Sequence, residues 1–287
     1  QKGSPMDFCS LLRSSSLKFN SIVCLGLDPV LDTIPIEKGS PGERIRSFYE
    51  TMLNTMARRN IMPAAVKPNY AFYAQYGLDG IGSLAAIIDA CRGLGLPVIL
   101  DVKRGDIGAT AEAYAREAYD FFNADAVTLS PYLGFDSIEP FFSRYPDKGA
   151  YILNKTSNKS SGELQDVLVD GEPLYLRVSR KIVEWHRPGM GAVVGATYPE
   201  ELASIGGIFI PSGRDIPLLI PGVGSQGGSV EAVCSALGRY PDPSIHRINS
   251  SSAINYAYRQ RPELRFDDAA ATALSALNDE IHSFLEI

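Results

Sequence analysis

Metal-binding side chains are scarce in this chain. It has three histidines and four cysteines among 287 residues. Cys9, Cys24, Cys91 and Cys234 form no CxxC pair and have no histidine at ligand spacing. His186, His246 and His282 are scattered and read as structural. No His/Cys/carboxylate cluster results, so no metal is expected. Cysteines spaced this way read as free, mostly buried thiols in a reducing compartment. No apolar run reaches the length of a membrane span, and no signal peptide is visible, so a cytoplasmic protein without a membrane partner is expected. Basic runs are missing as well. The 27 Lys and Arg fall short of the 33 Asp and Glu, leaving a net charge of −6. That balance argues against a nucleic-acid partner. It leaves room for a local basic pocket that takes a small anion.

What is present is ordinary for a globular chain: 45% hydrophobic and 21% charged residues, with no composition shift along the length. Gln1 to Pro5, ahead of Met6, read as an added remnant outside the fold. From residue 6 to 287 short apolar runs alternate with helical patterns. The runs are Ser21–Leu27, Ala64–Val66, Leu96–Leu100, Ala126–Leu129, Ala150–Leu153, Gly191–Gly195, Pro217–Ile220 and a weaker Ile245–Ile248. Eight strand-then-helix units imply a parallel sheet with right-handed crossovers. In this length they fit one α/β domain, a closed (β/α)8 TIM barrel. An open doubly wound sheet would be expected to carry a glycine fingerprint after its first strand, and Gly26-Leu27-Asp28-Pro29 is not one.

Such barrels work at the C-terminal ends of their strands. Those ends carry Asp28, Lys67, the Asp101/Lys103/Asp106 group, Ser130, Thr156-Ser157-Asn158, Gly195-Ala196-Thr197, Gln226-Gly227-Gly228 and Ser250-Ser251-Ser252. Charge gathers on the first three strands. Small and glycine-rich ends occupy the last three, where barrels commonly hold a phosphate. The third strand stands out. Asp101 and Lys103, two apart on a strand, are expected to share a face beyond the apolar Leu96–Leu100, with Asp106 close behind. Charges there are costly to desolvate, and a purely structural ion network is the weaker reading.

The segment Asp101-Val102-Lys103-Arg104-Gly105-Asp106-Ile107-Gly108-Ala109-Thr110-Ala111 resembles the DxKRGDIGxTA signature of the orotidine 5′-phosphate decarboxylases, in the form of their longer bacterial subgroup. Further matches follow in order: Lys67-Pro68-Asn69, Ser130-Pro131-Tyr132-Leu133-Gly134, Thr156-Ser157-Asn158, Val194-Gly195-Ala196-Thr197 and Pro221-Gly222-Val223-Gly224 with Gln226-Gly227-Gly228. The resemblance implies cofactor-free and metal-free decarboxylation of orotidine 5′-monophosphate to uridine 5′-monophosphate, the last step of pyrimidine nucleotide synthesis. It implies that Lys103 protonates C6 and that Asp101 lies beside the departing carboxylate. Lys67 and Asp28 would meet the ribose end, Ser157 the pyrimidine edge, and Gln226 the phosphate side. Gly227, Ser251 and Ser252 join the substrate-binding set at the glycine- and serine-rich ends of strands seven and eight. Asp106 and Thr110 would reach the neighbouring site of a homodimer. Lys159–Gly171 and Ile208–Asp215 are candidate lids over the site.

One residue departs from the family pattern. An arginine usually follows the eighth strand, in a form like SSRAIxYA, and grips the phosphate. Here Ser250-Ser251-Ser252-Ala253-Ile254-Asn255-Tyr256-Ala257 puts Ser252 in its place. A serine offers one hydrogen bond and no charge. Weaker phosphate affinity is expected unless Arg247, Arg259 or another cation substitutes. Two other readings stand beside the main one: a metal-dependent sugar-phosphate decarboxylase on the same barrel, and a nucleotide-binding protein with impaired catalysis.

Overall fold

The computed structural model describes residues 7–197, 199–223 and 227–287; the expected remnant Gln1–Pro5 and the candidate Gln226 lie outside the described residues. The chain begins with α1 (Phe8–Phe19), capped by the Asp7 side chain, which accepts from the Ser10 N–H at 2.9 Å. Then come β1 (Val23–Leu27), α2 (Pro41–Arg58), β2 (Ala65–Pro68), α3 (Tyr70–Ala74), α4 (Gly77–Gly93) and β3 (Ile99–Arg104). The middle of the chain supplies α5 (Gly108–Arg116), β4 (Ala126–Leu129), α6 (Pro140–Ser143), β5 (Gly149–Lys155), α7 (Gly162–Gln165) and a small hairpin of β6 (Leu168–Val169) and β7 (Glu172–Pro173). The last part runs α8 (Leu174–Trp185), β8 (Met190–Val194), α9 (Pro199–Phe209), β9 (Leu218–Pro221), α10 (Val230–Leu237), β10 (Arg247–Ser250), α11 (Ser252–Asn255) and α12 (Phe266–Phe284).

Local chemistry explains the larger helices. Ser40 and Glu43 form a reciprocal capping box at the start of α2, with Pro41 at the first helical position. Ile45, Phe48, Tyr49, Met52 and Met56 of α2 then turn one buried face to the sheet. Among the described residues no helix is long and apolar enough to cross a membrane.

Eight strands pair in parallel in the order β2-β1-β10-β9-β8-β5-β4-β3. Bridges Val66–Val98 and Asn69–Asp101 join β2 to β3 and close the ring. The (β/α)8 barrel expected from the alternation is the fold observed. Its lower interior is filled by alternate strand residues, Cys24, Ala65, Ile99, Ala126, Tyr151, Val193 and Leu219. Phe8 and Leu12 of α1 pack into the same cluster and close the floor. Gly149 is required there, because a Cβ would collide with the Phe8 ring. Between the sheet and the helices lies the larger apolar layer.

Some expectations change. Lys159–Gly171 is not a plain loop: it contains α7 and most of the β6–β7 hairpin. Ile208–Asp215 does not lie over the strand C-termini. It runs from the last residues of α9 toward β9, which puts it at the floor, where Asp215 meets Arg13 of α1 at 2.7 Å. A connection from a helix into a strand of a parallel barrel must lie at the strand N-termini, so this candidate lid is withdrawn.

Candidate active site

The alternate row that fills the barrel becomes polar two residues further up. Ala65 gives way to Lys67, Ile99 to Asp101 and Ala126 to Thr128, following the period of two along each strand. These side chains open into a cavity of about 450 Å³ that Lys103, Ser157 and Gln165 also line. Asp101 is the hub. Lys67 Nζ donates to its Oδ2 at 2.8 Å, Lys103 Nζ to its Oδ1 at 2.6 Å, and the Thr128 hydroxyl to Oδ1 at 2.9 Å. Lys67 and Asp101 are both 6% exposed, whereas the Lys103 side chain is 50% exposed. Burial alone would raise the Asp101 pKa, but the two ammonium groups outweigh it and hold the carboxyl well below the usual carboxylate range. Burial would likewise neutralise Lys67; Asp101 and Asp28 overcome it and keep that amine charged.

The pair does not arise from simple strand alternation. The β3–β4 register shifts between Leu100 and Arg104, and Lys103 has φ +47°. A non-glycine residue in that left-handed region carries about 1–2 kcal/mol of strain. Thr128 of β4 holds the irregularity, since its Oγ1 accepts from the backbone N–H of Val102 at 3.1 Å and of Lys103 at 2.9 Å. The strand therefore bulges, and the bulge aims the lysine. Asp106 is not part of the network. Among the described residues it makes no ion pair, and its Oδ1 accepts from the Ile107 N–H at 2.8 Å. The group that meets in this chain is Lys67–Asp101–Lys103, not Asp101–Lys103–Asp106. Thr110, on α5, is exposed.

A second cavity of about 300 Å³ adjoins the first and shares Lys67 and Pro221 with it; Asp28, Asn249, Ser251 and Ser252 line it. Ser251 donates to Asp28 Oδ2 at 2.6 Å. Gly26 lets them meet, as a Cβ there would stand 2.7 Å from that of Ser251. Asp28 Oδ1 and Asn249 Oδ1 are buried and have no partner among the described residues, which leaves both acceptors available to a ligand. Gly227 is exposed, with φ +84°. Ser252 is exposed at the first turn of α11. Arg247 cannot stand in for the expected arginine. It is fully buried, and its guanidinium bonds Leu12 O and Ser15 Oγ of α1 at the floor. Arg259 is exposed and does not line this cavity.

At the opposite rim the segment after β5 is tied down. The Gln165 amide accepts from the Thr156 N–H at 2.9 Å and donates to its hydroxyl at 2.7 Å. Buried Lys155 meets Asp166 at 2.5 Å. Ser157, next along the chain, borders the larger cavity. Thr128, Gln165 and Asn249 were not singled out from the sequence. A threonine two positions above the alanine of an otherwise apolar strand was the available signal for the first.

Fold and site define a class: a TIM-barrel enzyme whose mouth carries a lysine–carboxylate–lysine network beside an anion-sized cavity. The family pattern described as "Orotidine 5'-phosphate decarboxylase / HUMPS family" matches residues 22–237. The chain is 42% identical over 282 residues to the orotidine 5'-phosphate decarboxylase of Ralstonia pickettii, covering 97% of this chain and 99% of the relative. It is 42% identical over 283 residues to the enzyme of that name from Roseiflexus castenholzii, covering 98% and 99%. Among solved structures, OMP decarboxylase of Leishmania donovani superposes with a TM-score of 0.77 at 34% identity, over 96% of this chain and 99% of that one. UMP synthase of the same organism gives 0.78 at 35% over 96% of this chain, which spans 56% of that longer protein. The chain belongs to the orotidine 5′-phosphate decarboxylase family.

Proposed function

We propose that the chain decarboxylates orotidine 5′-monophosphate to uridine 5′-monophosphate, with Lys103 as the reacting acid. The observation that carries this reading is the strained, half-exposed ammonium of Lys103, held 2.6 Å from Asp101 at the edge of a nucleotide-sized pair of cavities. When the C6–carboxylate bond breaks, its electron pair stays on C6. A fixed ammonium stabilises that charge and then gives it a proton from Nζ. The amine regains its proton from water. Asp101 anchors the ammonium and lies beside the departing carboxylate. Lys67 and Asp28 fit the ribose, with the unpaired Asp28 Oδ1 free to accept from a hydroxyl. Ser157 meets the base edge; Gly227, Ser251 and Ser252 serve the phosphate side, to which the family resemblance also assigns Gln226.

Asp106 and Thr110 serve the neighbouring site in a cytoplasmic homodimer. Ile107, from the same connection, and Tyr132 and Leu133, from the connection after β4, are exposed apolar residues suited to such an interface. Sedimentation equilibrium should give twice the chain mass; a monomer at enzymic concentrations contradicts this part.

A metal-dependent sugar-phosphate decarboxylase needs carboxylates free to ligate, whereas Asp101 is shared by two ammonium groups. Turnover of orotidine 5′-monophosphate in the presence of a chelator tests the reading. Continued loss of substrate absorbance is expected. Abolition by the chelator would favour the metal-dependent relative, and binding without turnover a nucleotide-binding protein.

A further inference from the structure

Arg104 follows the proposed acid directly and takes no part in the chemistry above, yet its guanidinium has both an ion pair and ring contacts. Its Nη2 meets Glu117 Oε2 at 2.8 Å. Its guanidinium stacks 4.2 Å from the Tyr114 ring centre and 5.1 Å from that of Tyr70. Its backbone carbonyl accepts from the Ser130 N–H at 2.7 Å, where β3 regains its register with β4. Three connections thus converge on one residue: Tyr70 follows β2, Ser130 follows β4, and Tyr114 and Glu117 belong to the helix after β3. Glu117 opens a single π-helical turn, Glu117–Phe121, that continues α5. Such turns recur near functional sites because they re-aim one side chain.

The bulge at Lys103 needs two fixed ends. Upstream the ladder from Leu100 to Val127 holds it, and Thr128 ties its middle. Downstream the fixed point is Arg104. A left-handed lysine between two mobile residues would relax toward extended backbone and carry its ammonium off line. An arginine suits the post because its planar fork can pair with a carboxylate while both faces stack on rings.

We infer that Arg104 is a positioning residue for Lys103: clamped by Glu117, Tyr114 and Tyr70, it fixes the downstream end of the bulge and so places the ammonium over C6. This rests on the reading of Lys103 as the reacting acid. The clamp acts on placement, so its loss should lower kcat and leave affinity for the product, uridine 5′-monophosphate, in place.

The test is Arg104→Met, compared with Arg104→Lys and Lys103→Ala, with kcat, the Kd for uridine 5′-monophosphate and Tm read on each. Arg104→Met should lose about 10²-fold in kcat, the size of effect a displacement near 1 Å produces, while the product Kd stays within about twofold. Arg104→Lys should fall between, keeping charge and losing the stacked fork. Glu117→Gln should lower kcat in the same sense, and its effect should be less than additive with Arg104→Met. An unchanged kcat in a folded Arg104→Met protein overturns the inference, and so does an equal loss of kcat and product affinity. Should Arg104→Met fail to fold, Glu117→Gln decides, with unchanged kcat as the overturning result. Full activity in Lys103→Ala would sink the underlying reading instead, whatever the Arg104 variants do.

Discussion

The barrel buries charge at both ends, and the two ends treat it differently. At the floor, Arg247 is fully buried and donates to uncharged acceptors: Leu12 O at 2.7 Å, Ser15 Oγ at 2.6 Å, Ser244 O at 2.9 Å and His246 O at 2.7 Å. Burial outweighs the groups that favour its charge and pulls its pKa down to about 10. At the mouth, one carboxylate is shared by two ammonium groups, one of them half in solvent and on a left-handed backbone. The floor arginine fastens α1 to the barrel and settles its two terminal nitrogens on fixed acceptors, while its buried Nε has no partner among the described residues. The mouth network keeps a charged group exposed and under strain. Charge alone does not mark the working end; strain and access to a cavity do.

The sharpest way to break that contrast is to remove a hub from each end. Asp101→Ala should cost roughly 3–5 kcal/mol of stability, because it leaves the buried Lys67 ammonium unpaired, and should abolish turnover in the protein that remains folded. Arg247→Met should cost about 3 kcal/mol through unpaired carbonyls, with kcat per folded molecule within about twofold of the parent. Calorimetry with active-site-normalised kinetics separates the two. Activity lost at the floor in proportion to the mouth would erase the distinction.

Next in size is the phosphate edge. Ser252→Arg, at the exposed start of α11 beside the smaller cavity, should raise kcat/KM for orotidine 5′-monophosphate by about tenfold, since a charge-assisted contact to phosphate is worth roughly 1–2 kcal/mol. No rise would mean that the clamp is supplied elsewhere.

The smallest expected effect is a pH dependence at the floor. His246 is buried, its Nδ1 accepts from the Leu218 N–H at 3.0 Å, and burial pushes its pKa down to about 3. A group whose folded pKa is lowered in this way stays neutral while the unfolded chain takes up a proton below about 6.5. Stability should therefore decline as the pH falls from about 6.5 toward 3. A His246→Gln variant should flatten that decline. Asp101 acts only lower: its depressed pKa stabilises the fold above the ordinary carboxylate value and is lost as the pH falls below it. An unchanged slope in His246→Gln would assign the decline to other groups.

The strands were legible because parallel barrel strands are short apolar runs, and those starting at Ala126 and ending at Leu129 coincide with β4. Reading only the strand ends assembled Lys67, Asp101 and Lys103 from two separate strands. The rest was hidden for definite reasons. Period-two alternation cannot show a bulge, so the left-handed Lys103 and the threonine that holds it appeared only in three dimensions. Asp106 fell into one charged group with Asp101 and Lys103 because sequence proximity does not show direction, although the family resemblance already turned it toward a neighbouring subunit. Arg247 was a candidate phosphate ligand until its place at the start of β10 put it at the floor. Ile208–Asp215 was misplaced although chain order alone, helix before strand, assigns it to that end.

The most direct test of the central claim is the rate of orotidine 5′-monophosphate decarboxylation by Lys103→Ala, set against its affinity for uridine 5′-monophosphate. A loss of about 10⁴-fold or more in kcat with product affinity largely kept is the expected result, combining charge stabilisation with proton donation. A rate within about tenfold of the parent would contradict the account.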